Sequence, residues 1–67
     1  MMNRKILGLK AKQWRKENTP YTQHDMARLC NVSRETISAF ESGRSRNLDI
    51  LMSYISLGFK YNMGGIE

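Results

Sequence analysis

The stretch from Thr22 to Gly43 leaves this chain little choice of fold. It holds two helix starts, Thr22 and Ser33, each with a side-chain oxygen suited to capping a first turn. Asp25 follows Thr22 at the third position, where a negative charge suits a helix N-terminus. Thr36 stands where a full capping box after Ser33 would need Glu or Gln. A short amphipathic run follows each start: Met26 and Cys30 at i, i+4 in the first, Ile37 with Phe40 or Glu41 in the second. Asn31 and Ser42-Gly43 mark the stops, because Asn and Gly tolerate the left-handed conformation best. Only Cys30-Asn31-Val32 separates the runs, so two helices of roughly eight to ten residues meet across a tight turn. Ala27 is small where the second helix must cross the first, and Val32 and Ile37 plug the space between them. The second helix is thereby presented outward.

Two further segments flank this pair. From Asn3 to Glu17, Leu7, Ala11 and Trp14 fall on one helical face, surrounded by Arg4, Lys5, Lys10, Lys12, Arg15 and Lys16. Asn18-Thr19-Pro20-Tyr21 breaks that helix, and Thr19 is extended because it precedes a proline. Asn47 caps a fourth segment from Leu48 to about Leu57, ended by Gly58. Leu48, Leu51 and Ile55 at i, i+3, i+7 read as its inner face. A second row, Ile50, Tyr54 and Leu57, lies on another side and is followed by Phe59, Tyr61, Met63 and Ile66. A domain this small cannot bury both rows in one layer of helices. Ile50, Tyr54, Leu57, Phe59 and Tyr61 are therefore candidates for a protein interface, unless the tail folds back over them. The expected organisation is an all-α, compact four-helix bundle (five-helix as a variant) over residues 1–58, with an extended or partly disordered tail over 59–67.

Composition narrows the function. Eleven Lys and Arg against 6 acidic residues give +5 on 67 residues, which points to an anionic partner. An apolar content of 40% suffices for a core, so this is not a disordered basic tail. One cysteine cannot form an internal disulfide, and Cys30 with His24 gives too few soft ligands for structural zinc. No apolar stretch approaches a membrane span and no secretory signal is visible, so a cytoplasmic protein without membrane contact is expected. Neither a catalytic triad, paired carboxylates, a phosphate loop nor a metal cluster is present; no enzyme, cofactor or metal site is expected. Trp14, Tyr21, Phe40 and the methionines read as core rather than as a platform for stacking bases. Cys30 reads as a small buried residue at the turn, and His24 as a surface residue.

The run Thr22-Gln23-His24-Asp25-Met26-Ala27, the turn, and Val32-Ser33 through Ile37, Glu41 and Gly43 resemble the phage repressor and Cro family, the Xre-type helix-turn-helix. The resemblance spans about residues 5 to 58. Arg15 matches the family's helix-one arginine, and Leu48, Leu51 and Ile55 match its fourth helix. It implies a lambda-repressor-like bundle that reads the DNA major groove with the helix starting at Ser33. Three departures stand out: Asn31 replaces the usual turn glycine, the link from Arg15 to Gln23 is one residue longer and carries Pro20, and the usual fifth helix is missing or reduced to the tail.

By the resemblance, Gln23 bonds a phosphate and braces the first reading residue, while Arg34 reaches a base edge; arginine suits the O6 and N7 acceptors of guanine. Glu35 either accepts from cytosine N4, or balances the helix N-terminus and pairs with Arg34 or Arg28. Ser38 and Ala39 lie farther along the same face, within reach of a thymine methyl or a backbone oxygen. Ser33, Thr36, Arg44, Ser45, Arg46 and Asn47 flank the helix with hydroxyls, guanidinium groups and a helix start, all suited to phosphate oxygens. The resemblance also implies that Glu41 pairs with Arg15 across the domain, with Lys16 as a substitute should the longer link displace Arg15.

Two functions follow. The first is a small DNA-binding transcriptional regulator of a phage genetic switch, with double-stranded DNA as partner and a homodimer to span two half-sites. The alternative is an antirepressor that forms a heteromer with another helix-turn-helix repressor and blocks its DNA binding.

Overall fold

A computed structural model describes residues 4–45 and 47–60. Arg46 and Tyr61, both among the site residues above, lie outside the described residues, as do Met63 and Ile66. The described chain forms four helices and no strand: α1 (Arg4–Asn18), α2 (Gln23–Cys30), α3 (Arg34–Glu41) and α4 (Leu48–Ser56).

Each boundary has a local cause. At the end of α1 the Thr19 hydroxyl donates to the Arg15 carbonyl and the Asn18 amide donates to the Trp14 carbonyl, satisfying groups that a helix end leaves open. Helix α2 begins with a capping box: the Thr22 hydroxyl accepts from the Asp25 amide, and the Asp25 carboxylate accepts from the Thr22 amide at 2.9 Å. Those bonds from Thr22, first its backbone and then its hydroxyl, hold the Asp25 carboxyl below its ordinary range. Ser33 caps α3 through the Thr36 amide, and Asn47 caps α4 through the amides of Asp49 and Ile50.

The three short helices close in the same way. Asn31, Gly43 and Gly58 adopt positive φ of 59°, 86° and 119°. In each case two amides turn back onto the helix. Asn31 bonds to Arg28 and Val32 to Ala27, Gly43 to Phe40 and Arg44 to Ala39, Gly58 to Ile55 and Phe59 to Tyr54. This is the Schellman pattern, and it spares the last carbonyls from burial without partners.

Leu7 and Ala11 of α1, Met26 and Ala27 of α2, Ile37 and Phe40 of α3, Ile50 and Tyr54 of α4, and Phe59 form the buried core. Trp14, Tyr21, Cys30, Val32 and Leu51 pack partly buried against it. Tyr54 sits centrally, its ring centroid 5.3 Å from Phe40 and 6.4 Å from Phe59, with Trp14 covering Phe59 at 5.7 Å. Gly8 lets α1 cross the end of α3: a Cβ there would clash with the Phe40 carbonyl oxygen and lie 3.0 Å from the Glu41 oxygen and the Gly43 nitrogen.

Helix α4 is turned the other way from the sequence expectation. Leu48 is 68% exposed and Ile55 44%, and Met52 is 59% exposed rather than core. Of the expected inner row, only Leu51 packs against the core. Ile50, Tyr54 and Phe59, expected at an exposed interface, are buried and cannot line one; of the described residues in that group only Leu57 is exposed. The reason is in the closing turn. The amide of Phe59 bonds to the Tyr54 carbonyl, which folds the Phe59 ring edge-on to Tyr54 and both against Trp14. The packed domain therefore includes Phe59, beyond the boundary expected at residue 58.

Candidate nucleic-acid interface

The outward face of α3 begins at Ser33. Its hydroxyl accepts from the Thr36 amide at 3.2 Å and lies 2.9 Å from the Thr36 hydroxyl, so both side chains are held at the helix start. Arg34 follows with its side chain 40% exposed, and Glu35 with 79%. Their charged groups approach to only 3.8 Å, a loose surface pair of the kind that contributes about 0–1 kcal/mol. Arg28 bonds to Asp25 at 2.6 Å instead of to Glu35. Ser38 and Ala39 are half-buried on the same helix.

Arg34 is anchored from behind. Its Nη1 donates to Gln23 Oε1 at 3.2 Å, and Gln23 Nε2 donates to Glu41 Oε1 at 3.0 Å. Glu41, 1% exposed, accepts from Arg15 Nε at 2.8 Å and from Arg15 Nη2 at 3.2 Å. The Tyr54 hydroxyl donates to Glu41 Oε2 as a short bond. Arg15 Nη1 donates onward to the Tyr21 carbonyl at 2.9 Å, which ties the longer link between α1 and α2 into the same cluster. Arg15 therefore keeps its expected place, and Lys16 is exposed.

Burial alone would push the Glu41 carboxyl up. The bonds from Arg15, Gln23 and Tyr54 together outweigh it and hold this carboxyl below its ordinary value. Bonding to Glu41 holds the Arg15 guanidinium above its ordinary value against the opposing effect of burial. Burial first, and the bond to Glu41 second, push the Tyr54 phenol far up. The cluster thus carries one negative and one positive charge at neutral pH. Among the described residues no buried side-chain nitrogen or oxygen lacks a partner.

The other end of α3 carries Arg44. Its amide bonds to the Ala39 carbonyl, and its Nε donates to the Ser42 hydroxyl at 2.9 Å, which in turn donates to Ala39. Arg44 is exposed and held at the helix end. Asn47 takes the capping role expected of it, and that role competes with the phosphate contact also expected there. Its Oδ1 fills the amides of Asp49 and Ile50, the two donors a phosphate would have used, and Asp49 adds a negative charge to that first turn. Asn47 is a helix cap.

A family model described as helix-turn-helix matches residues 12–54, more than half of the chain. The chain belongs to the Xre-type helix-turn-helix family found in phage repressors and Cro proteins. Its fold is the all-α fold of that family, and its domain is that of a DNA-binding helix-turn-helix regulator. No curated protein and no solved structure matches it significantly. No helix of the described residues is long and apolar enough to cross a membrane, and no group of three metal-ligating side chains occurs among them.

Hydrogen bonds thus tie Gln23 and Arg34 to the core cluster, hold Ser33 and Thr36 at the start of α3, and hold Arg44 at its end. Sequence reasoning missed the bond from Gln23 to Glu41 and the part played by Tyr54. A signal for the second was present: a tyrosine in an otherwise aliphatic row needs a partner for its hydroxyl when buried. Glu41, paired in the core with a single arginine, had lone pairs to spare.

Proposed function

We propose that this domain regulates transcription by docking α3 in the major groove, with Arg34 reading a guanine edge. The observation that carries the reading is the bond that Arg34 donates to Gln23, which holds a half-exposed guanidinium at the outward start of α3. A guanidinium held in one orientation matches the paired O6 and N7 acceptors of guanine and loses less entropy on docking. Glu35 beside it is exposed on the same helix start and accepts from a cytosine amine. Ser33, Thr36 and Arg44 supply phosphate contacts, and the net charge of +5 supplies sequence-independent attraction by counterion release.

One domain of this size buries little DNA, so two copies on two half-sites suit it. The exposed Leu48, Met52 and Ile55 of α4 offer an apolar surface for that pairing. The resemblance to phage repressors and Cro supports a role in a phage genetic switch. No catalytic role belongs to this reading.

The same α4 surface favours a second reading, in which the chain pairs with another helix-turn-helix repressor and keeps it from DNA. Selection from a random duplex library, followed by salt titration of the selected site, separates the two. The DNA reading expects one enriched site with a steep salt slope. Arg34→Ala relaxes preference at one base pair, and Arg44→Ala weakens all sequences alike and lowers the slope by about 1. Feeble, sequence-blind binding together with a stable complex with a partner repressor overturns it in favour of the second.

A further inference from the structure

The bonds around Glu41 account for more than stability. An ionised carboxylate offers about four lone-pair sites. In Glu41 four are occupied: Oε2 by Arg15 Nε and the Tyr54 hydroxyl, Oε1 by Arg15 Nη2 and Gln23 Nε2. The donors come from α1, α2 and α4, so three helices fix one carboxylate on α3. The Gln23 amide then has one permitted orientation. Its NH2 faces Glu41, because the flipped amide would aim its carbonyl at the carboxylate. Its carbonyl oxygen is left facing outward, and Arg34 Nη1 donates to it. The arrangement runs as a relay from a core hydroxyl to a surface guanidinium: Tyr54, Glu41, Gln23, Arg34.

We infer that Tyr54, a buried residue of α4 away from the α3 outer face, is a positioning residue for sequence recognition, setting the orientation of Arg34 through Glu41 and Gln23. This rests on the reading of Arg34 as a base-contacting residue. Arg15 alone bonds the carboxylate from one side. The Tyr54 hydroxyl bonds Oε2 from the α4 side and leaves Oε1 aimed at α2. Without the hydroxyl, Oε2 loses a donor in a site closed to water, and the carboxylate turns to share its remaining donors. Gln23 follows it, and the acceptor presented to Arg34 moves.

The test is Tyr54→Phe, which keeps the ring and removes one oxygen. Circular dichroism first checks that the variant folds. Binding to a duplex selected by the unaltered protein, and to duplexes with single base-pair changes, is then measured across salt concentrations. The expected result is a loss of about three- to tenfold in discrimination at the base pair that depends on Arg34, with the salt slope unchanged. In the Arg34→Ala background the same substitution leaves discrimination unchanged, because the relay has lost its last member. A merely structural role would weaken all duplexes together and persist in that background, and such a result overturns the inference. A protein that selects no site overturns the DNA reading and the inference with it. A protein that selects a site which Tyr54→Phe discriminates equally well overturns the inference alone. On the unaltered protein, Gln23 side-chain amide protons slowed in exchange are expected, and solvent-averaged ones overturn the relay even if Tyr54→Phe does not fold.

Discussion

Helices α3 and α4 are nearly equal in length, 8 and 9 residues, and share their punctuation: a polar cap at the start and a Schellman turn around a glycine at the end. Their exposed faces are opposite in kind. Helix α3 and its C-cap turn Arg34, Glu35, Ser38 and Ser42 away from the core, whereas α4 turns Leu48, Met52 and Ile55 outward. Inside, each brings a polar group to the same point, the Glu41 carboxylate from α3 and the Tyr54 hydroxyl from α4. The difference teaches what chooses a helix's inner face. Helix α4 has two rows of similar apolarity, so burial of area hardly distinguishes them. Facing Leu48 and Ile55 inward would leave the buried Glu41 Oε2 with Arg15 as its one donor, and a hydrogen bond to a charged group is worth about 1.5–3 kcal/mol. It would also release Phe59 from its seat against Trp14 and Tyr54.

The largest effect is expected where the two inner faces meet. Glu41→Ala leaves Arg15, itself 5% exposed, as a buried charge without its partner and strands the Tyr54 hydroxyl. Removing one member of a buried pair costs about 3–5 kcal/mol. That approaches the whole stability available to a domain this size, so urea or thermal denaturation followed by circular dichroism should find the variant largely unfolded. A cooperative transition within about 1 kcal/mol of the parent, well under that penalty, would show that the pair is not what holds α3 and α4 together.

Acid probes the same point without a substitution. Because the folded state holds the Glu41 carboxyl below its ordinary value of 4.5, the unfolded chain binds a proton there first as pH falls. The stability from this group is fully present above 4.5 and is lost as pH drops through the lower, folded value. The depressed carboxyl of Asp25 acts in the same direction from an ordinary value of 3.8. Thermal melts between pH 7 and pH 3 should show Tm level at first and then falling below about pH 5. Tyr54→Phe, which removes one of the bonds that favour ionised Glu41, should make that fall shallower. A Tm that rises on acidification contradicts the assignment.

An intermediate effect is expected at the crossing of α1 and α3. In most exposed helices Gly→Ala gains about 1 kcal/mol from helix propensity. Gly8→Ala should reverse that sign, because the added methyl meets the backbone at Phe40, Glu41 and Gly43, which cannot rotate aside. Overpacking of this kind costs about 1–3 kcal/mol, measured as a lower urea midpoint. A stabilised variant would place α1 farther from α3 than the structure has it.

These residues also explain what could be seen in the sequence. The α2–α3 pair was legible because its signals are local: Thr22 and Ser33 cap, Asn31 and Gly43 stop, and Ala27 marks the close crossing. The Arg15–Glu41 pair was legible through a family resemblance, since nothing local joins residues 26 positions apart. The inner face of α4 was not legible, because apolar periodicity gives the same score to either row and the deciding contacts, Tyr54 with Glu41 and Phe59 with Trp14, are non-local. Asn47 carried two expectations, cap of α4 and phosphate contact, and the structure shows the cap. A residue that starts a helix can bind an anion or cap the helix, and its Oδ1 is already committed to capping.

The smallest effect on stability is expected on the outer face of α4, and it separates the two rows most directly. Leu48→Ala and Met52→Ala remove side chains that are mostly in water, so each should change unfolding free energy by no more than about 0.5 kcal/mol. Ile50→Ala, two residues from both, deletes a side chain only 1% exposed and should cost about 2–5 kcal/mol. Comparable losses in both rows would mean that something covers Leu48 and Met52 in solution. Sedimentation at several protein concentrations then identifies the cover. If two copies pair through this surface, Leu48→Ala with Met52→Ala lowers the apparent mass and weakens binding to a two-half-site duplex, leaving a single half-site unaffected. If a partner repressor is the occupant, the mass of the isolated chain stays that of a monomer and only the mixed complex is lost. In either case α3 retains its structure, because its inner face contributes Ile37, Phe40 and Glu41 to the core and takes nothing from the outer row of α4.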